Sequence, residues 1–146
     1  MIATSGKLRY KPGLKYQTET FFWVQTPLSG DHSRIEDPDD LHRPWVRLRK
    51  DGVLEIRNGY AWDGPSGPTI DTKSTLRASL VHDALYQLMR AGKLTQDARD
   101  AADKLLFSLL IQDGCWEWRA KLWLWTVRKF AGYAAKRRAE VVLEAP

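Results

Sequence analysis

The chain has one cysteine, Cys115, in 146 residues. One thiol cannot close an internal disulfide, which excludes a secreted disulfide scaffold and fits a reducing compartment. A lone buried cysteine is usually an inert small hydrophobe, so Cys115 is not read as a nucleophile. No stretch approaches the roughly 20 apolar residues of a membrane-spanning helix. The segment from Met1 to Tyr10 lacks the apolar run of a signal peptide, so the expected location is the cytoplasm. A phosphate-cradling Gly-Lys-Ser/Thr motif is also missing, which argues against NTP hydrolysis. Histidine is scarce. His32 and His42 sit among aspartates at a spacing that matches no standard zinc pattern. A metal-dependent phosphohydrolase of the His-Asp type needs more helical histidines than His82 alone.

What is present fits one domain, 1–146, long enough to bury a core without staples. Hydrophobic residues make up 43% and charged residues 28% of the chain, an ordinary globular balance. The formal charge of +5 favours phosphate-bearing partners, either an anionic membrane surface or nucleic acid. Seven tryptophans imply a tryptophan-heavy core or a surface that meets something partly apolar.

The expected class is α+β, with N-terminal antiparallel strands followed by a three-helix region. Residues 1–58 read as strand-rich. Tyr16 to Gln25 is full of Thr, Phe, Trp and Val, and the polar run from Ser29 to Asp40 reads as an exposed loop. Trp45 to Arg49 and Val53 to Arg57 alternate around Lys50-Asp51-Gly52, a hairpin signal. Residues 59–73 hold a Gly- and Pro-rich stretch that predicts an irregular loop able to approach a ligand closely. Residues 74–138 carry three helical periodicities, Ser74 to Ala91, Gln96 to Gln112 and Trp116 to Arg138. In the third, Trp116, Trp123, Val127, Phe130 and Ala134 are expected to face inward. Residues 139–146 read as a loose tail.

The chemistry concentrates on the first helix. His82 and Asp83 are adjacent, so they point about 100° apart and address different neighbours. Tyr86 lies one turn beyond His82 on the same face. In the second helix Arg99 and Asp103 are one turn apart, and an antiparallel helix pair brings Asp103 to His82. This makes His82 a candidate base, oriented by Asp103, with Tyr86 on the same carboxylate. Asp83 points instead toward the Gly/Pro loop. A carboxylate with loop carbonyls is a hard-oxygen site of the kind calcium takes. A plainer account stands beside this one, in which His82 is a satisfied core histidine and Arg99 and Asp103 form a surface ion pair.

Two resemblances arise on these residues. Gly59-Tyr60-Ala61-Trp62-Asp63-Gly64-Pro65-Ser66, Arg77, His82-Asp83-Ala84-Leu85-Tyr86, Arg99, Ala102-Asp103, Val127-Arg128 and Gly132, in that order, resemble a family of phage and prophage proteins grouped as a domain of unknown function. This implies a phage or prophage origin and a place in the host cytoplasm or the virion. More locally, His-Asp-x-x-Tyr after a Gly-rich loop, with an Asp on the next helix, is similar to secreted phospholipase A2. That likeness implies His82, Asp103 and Tyr86 as catalytic residues. It implies calcium as cofactor, held by Asp83 and by backbone carbonyls of Trp62, Gly64 and Gly67, with Asp63 and Arg99 in support. The phospholipase family is disulfide-bonded, whereas this chain is not.

The third helix interleaves Trp116, Trp118, Trp123 and Trp125 with Arg119, Lys121, Arg128 and Lys129. Such a pattern suits a phospholipid membrane surface or, less well, nucleic acid; better than either it suits a core helix with a solvated charged face. Two functions follow: a calcium-assisted phospholipase-like hydrolase, or a non-enzymatic phage accessory or virion-associated protein that contacts other phage structural proteins.

Overall fold

A computed structural model describes residues 1–8, 10–11, 16–28, 32–37, 40–64 and 72–136. The class is α+β. Antiparallel strands in two sheets precede three helices. The strands are β1 (Tyr10–Lys11), β2 (Tyr16–Thr18), β3 (Phe22–Gln25), β4 (His32–Asp37), β5 (Asp40–Leu48), β6 (Val53–Ile56) and β7 (Ala61–Trp62). The helices are α1 (Lys73–Arg90), α2 (Arg99–Gln112) and α3 (Glu117–Lys136). A single 3-10 turn, Gln96–Ala98, leads into α2. Among the described residues, no helix is long and apolar enough to cross a membrane.

The larger sheet has the order β3-β6-β5-β4. Its alternation follows from the two-residue period of a strand, which sends every second side chain to one face. Phe22 and Val24 of β3, Leu54 and Ile56 of β6, and Val46 and Leu48 of β5 are all buried. They stand opposite one another in the register, Phe22 with Ile56, Val24 with Leu54 and Leu48 with Leu54. The expected hairpin is present between β5 and β6, with Gly52 at φ +85 in its turn. That angle favours glycine because a Cβ crowds the backbone there.

Two segments differ from what their sequence implies. The Ser29 to Asp40 run is not one loop, because His32–Asp37 forms β4 and pairs with β5. Its register shifts near Ile35 and Glu36 suit a polar edge strand, where bulges are common. The Gly/Pro stretch also contains a regular element. Ala61–Trp62 forms β7, which joins β2 in the smaller sheet, order β1-β2-β7. The rest of that stretch, 65–71, and the tail 139–146 lie outside the described residues.

Helix α1 begins where Thr75 Oγ accepts the Thr72 N–H at 3.1 Å. It ends at Gly92, whose φ is +69. Leu76, Leu80, Ala84 and Leu88 are buried along it as the spacing predicts. The N-terminal residues tie sheet to helices. Thr4 bridges Val24. Ile2 N–H donates to Gln112 Oε1 at 2.9 Å. Arg77 of α1 donates through Nε to Asp113 Oδ2 at 3.1 Å and reaches Thr4 Oγ at 3.2 Å. Trp116, expected inward, precedes α3 and is exposed, while Trp123 and Val127 are buried. The side chains of Phe130 and Ala134 lie outside the described residues.

Gly64 ends the β7 platform at φ +79, and a Cβ there would collide with the Tyr16 ring. Gly64→Ala is expected to destabilise the fold by about 1–3 kcal/mol in urea titration. Gly92→Ala serves as the control. It shares the positive φ but has nothing within 4 Å, so it loses only the backbone part, about 1 kcal/mol.

Candidate functional site

The helix pair brings three predicted residues together. His82 Nε2 lies 2.8 Å from Asp103 Oδ1. The Tyr86 hydroxyl donates to the same oxygen at 2.7 Å. His82 and Tyr86 sit one turn apart on α1 and their rings stack at 4.2 Å between centroids. Asp103 is 1% exposed and His82 8% exposed. A carboxylate so deeply buried requires donors, and these two supply them. Burial and the hydrogen bond to Asp103 push the Tyr86 phenol well above its ordinary range. Tyr86 therefore stays a donor at every working pH.

With Nε2 facing a carboxylate, the favoured tautomer carries its hydrogen on Nε2. Nδ1 is then the basic nitrogen, and it makes no hydrogen bond among the described residues. This is the arrangement of an oriented base whose free nitrogen can take a proton from water.

Asp83 occupies a different environment one residue along. No hydrogen bond or ion pair holds its carboxylate among the described residues. Burial is the main cause that raises its pKa to about 6, with Asp63 adding to the rise and His82 and Arg90 opposing it. Asp83 is therefore within electrostatic reach of Asp63, the residue that follows β7. Tyr60 completes the group. Its hydroxyl is buried with no hydrogen-bond partner among the described residues. Burial, then Asp83 and Asp63, push the phenol above its ordinary range.

Each remaining predicted residue has a definite place. Trp62 is buried in β7, with Nε1 donating to Ser79 Oγ of α1 at 3.1 Å and its ring 5.5 Å from that of Tyr16. Gly64 follows β7 and is packed beneath Tyr16. Asp63 between them is exposed. Gly67 lies outside the described residues. Arg99 opens α2, half-buried, within electrostatic reach of the Tyr86 hydroxyl. Asp103 is not on the surface and forms no ion pair with Arg99, which removes the surface-pair account. His32 and His42 fall on β4 and β5 with side chains outside the described residues, and Cys115 is buried.

Tyr60, Ser79 and Arg90 were not singled out from the sequence as site residues. Arg90 carried a usable signal, since it sits two turns after Asp83 and so on the same face. Tyr60 carried none beyond its place in the motif, because its orphaned hydroxyl emerges only on packing.

Asp83, Asp63 and the Tyr60 hydroxyl are hard oxygen donors, the class that calcium selects. Among the described residues no cluster of three or more His, Cys, Asp or Glu side chains is drawn together. A cavity of about 980 Å³ lies elsewhere, lined by Lys7, Tyr16, Glu19, Lys73, Arg77 and Asp113 among others.

Comparison with family models, with curated proteins and with solved structures finds no match to this chain.

Asp83 gives a stability prediction. Its folded pKa is about 6 against an ordinary 3.8, so the folded state binds the proton more tightly than the unfolded one. Stability is then lost as pH rises from about 4 through 6. With chelator present, Asp83→Asn is expected to be more stable than the wild type at pH 8, by about 1–3 kcal/mol. At pH 3.5 the difference vanishes. Thermal melts of both proteins across this range check it, and a variant less stable at pH 8 would mean that the carboxylate is structural.

Proposed function

We propose that this chain is a phage-encoded hydrolase of ester bonds, resembling calcium-assisted phospholipase A2, with His82 activating water. The observation that carries the reading is the pairing of His82 Nε2 with buried Asp103 at 2.8 Å, which leaves Nδ1 available as a base. The phage origin is supported by the ordered motifs from Gly59 to Gly132, and the substrate class by the His-Asp-x-x-Tyr helix.

His82 Nδ1 removes a proton from a water molecule whose oxygen attacks the ester carbonyl. Asp103 holds the Nε2 hydrogen and stabilises the imidazolium that forms. Tyr86 fixes the carboxylate by donating to the same oxygen. As the tetrahedral species collapses, the carbon–oxygen ester bond breaks. His82 returns its proton to the departing alcohol, so water and ester become acid and alcohol. Asp83 and Asp63, with the Tyr60 hydroxyl and neighbouring carbonyls, are the residues that would hold calcium. When bound, calcium polarises the ester carbonyl and favours charge on its oxygen.

One observation favours a second reading. The His82-Tyr86-Asp103 cluster is a closed tie between α1 and α2, and such a tie also serves a non-enzymatic phage accessory protein. In that case His82→Gln alters stability alone.

Release of fatty acid from phosphatidylglycerol vesicles in millimolar calcium separates the two. His82→Gln and Asp103→Asn are expected to lower the rate by about 10²–10⁴-fold. Tyr86→Phe is expected to lower it by roughly tenfold or less, since the histidine bond to Asp103 remains. Asp83→Asn is expected to remove calcium binding in titration calorimetry. Circular dichroism establishes that each variant is folded. A wild type that neither hydrolyses ester nor binds calcium overturns the proposal, as does an unchanged rate in folded His82→Gln.

A further inference from the structure

Helix α3 buries one side and leaves the other bare. Ala120, Trp123 and Val127 are buried. On the opposite side Trp118 is 61%, Leu122 44% and Trp125 55% exposed. The helical period sets Trp118, Leu122, Trp125 and Lys129 in one stripe, within about 60° of arc and about 16 Å long. Trp116, 69% exposed just before the helix, extends it, with its ring 6.3 Å from that of Trp118. Large aromatic surface left in water at this density marks a contact site.

The charges around the stripe have one prevailing sign. From Glu117 to Lys129 there are four cations, Arg119, Lys121, Arg128 and Lys129, against the single carboxylate of Glu117. Lys129 Nζ sits 4.7 Å above the Trp125 ring. Lys121 flanks the stripe and pairs with Glu117 at 2.6 Å. Arg128, on the same flank, pairs with Asp100 of α2 at 2.9 Å. In sequence, Lys136, Arg137 and Arg138 continue the basic run.

We propose that this outer face of α3 is a docking surface for an anionic phospholipid bilayer, with the helix lying in the plane of the interface. Tryptophan favours the headgroup level, where its ring is partly apolar and its N–H stays wet. Lysine keeps its charge among phosphates while its stem covers apolar surface. A protein partner would instead favour depletion of lysine from the contact. Single-stranded nucleic acid would favour successive stacking planes, and here an aliphatic Leu122 separates Trp118 from Trp125. The surface is on a different helix from His82, so the inference goes beyond the hydrolase reading and does not require it.

The test uses the full chain and binding alone. In cosedimentation at low salt, the protein is expected to bind vesicles of phosphatidylglycerol and phosphatidylcholine, and to bind pure phosphatidylcholine vesicles at least tenfold more weakly. Brominated acyl chains should quench the tryptophan emission. Trp118→Ala/Trp125→Ala and, separately, Lys121→Glu/Lys129→Glu are each expected to weaken binding at least tenfold. All four positions are solvent-exposed, and a thermal melt checks that the variants fold. Absence of binding to the anionic vesicles overturns the proposal, as does equal binding by the tryptophan variant. Concentration-dependent self-association in sedimentation velocity, abolished by Trp118→Ala/Trp125→Ala in place of vesicle binding, also overturns it and assigns the face to a second copy. Oligonucleotide binding that excludes vesicles from the same tryptophans overturns it too. Repeating the vesicle binding with His82→Gln keeps the two proposals apart. Binding that survives while hydrolysis is lost supports docking whatever the fate of the catalytic reading.

Discussion

Asp103 is a carboxylate at 1% exposure, and an unpaired charge at that depth is too expensive for a marginally stable fold. It is satisfied from the neighbouring helix by His82 and Tyr86 through one oxygen. The register of α1 on α2 follows from this. Sliding either helix by a turn would carry both donors away from the acid, so apolar contact among Leu80, Ala84, Leu88, Ala102 and Leu106 is supplemented by a polar lock with one solution. The same contact that sets the register also fixes the histidine tautomer. Structural and chemical roles for this triad are therefore compatible, and the His82 lone pair faces away from the lock because the lock occupies the other nitrogen.

The step from His82 to Asp83 divides the helix between two environments. One residue along a helix is a turn of about 100°, which points Asp83 away from the direction His82 takes toward Asp103. There the chain does the opposite of what it does for Asp103. It half-buries a carboxylate that has no hydrogen bond or ion pair among the described residues, within electrostatic reach of the Asp63 carboxylate and of the Tyr60 phenol. A strongly raised carboxylate next to an oriented histidine is the contrast that functional sites exploit. The β7 platform keeps that region in place. Trp62 bonds Ser79 of α1, and Gly64 lets the Tyr16 ring close over the strand end.

How much of this could be read in the sequence depended on the range of the interaction. The β5–β6 hairpin is local, announced by Asp51-Gly52 between alternating runs, and the helices carry their periodicity within themselves. Asp103 and His82 were also legible, because a short connection between helices makes them antiparallel neighbours. Strand β7 was not. Two residues have no period, and Ala61–Trp62 becomes a strand only because β2, far back in the chain, offers it an edge. Strand β4 was hidden for a related reason: its polar, aspartate-flanked sequence reads as a loop, and pairing with the long β5 outweighs its weak intrinsic preference. The α3 period points Trp116 inward only if it is extended one residue too far toward the N-terminus. The helix begins at Glu117, and before its first turn the period no longer dictates direction.

The two proposals meet in the problem of access. His82 is 8% exposed, so a bulky substrate free in solution reaches Nδ1 poorly, and a water-filled approach also weakens every charge in the site. A phospholipid held in a bilayer presents its ester near the headgroup level, at the boundary where water thins out. A protein that rests Trp118, Leu122 and Trp125 in that boundary gathers the ester as a dense two-dimensional array. It need not build a deep pocket for a single molecule. On this view α3 supplies the hold on the bilayer and His82 the base. A buried, preorganised base is useful to an enzyme whose substrate comes to it already partly desolvated. The basic excess of the chain, +5 overall, then raises the frequency of encounter with anionic lipid, while the tryptophans lengthen the stay.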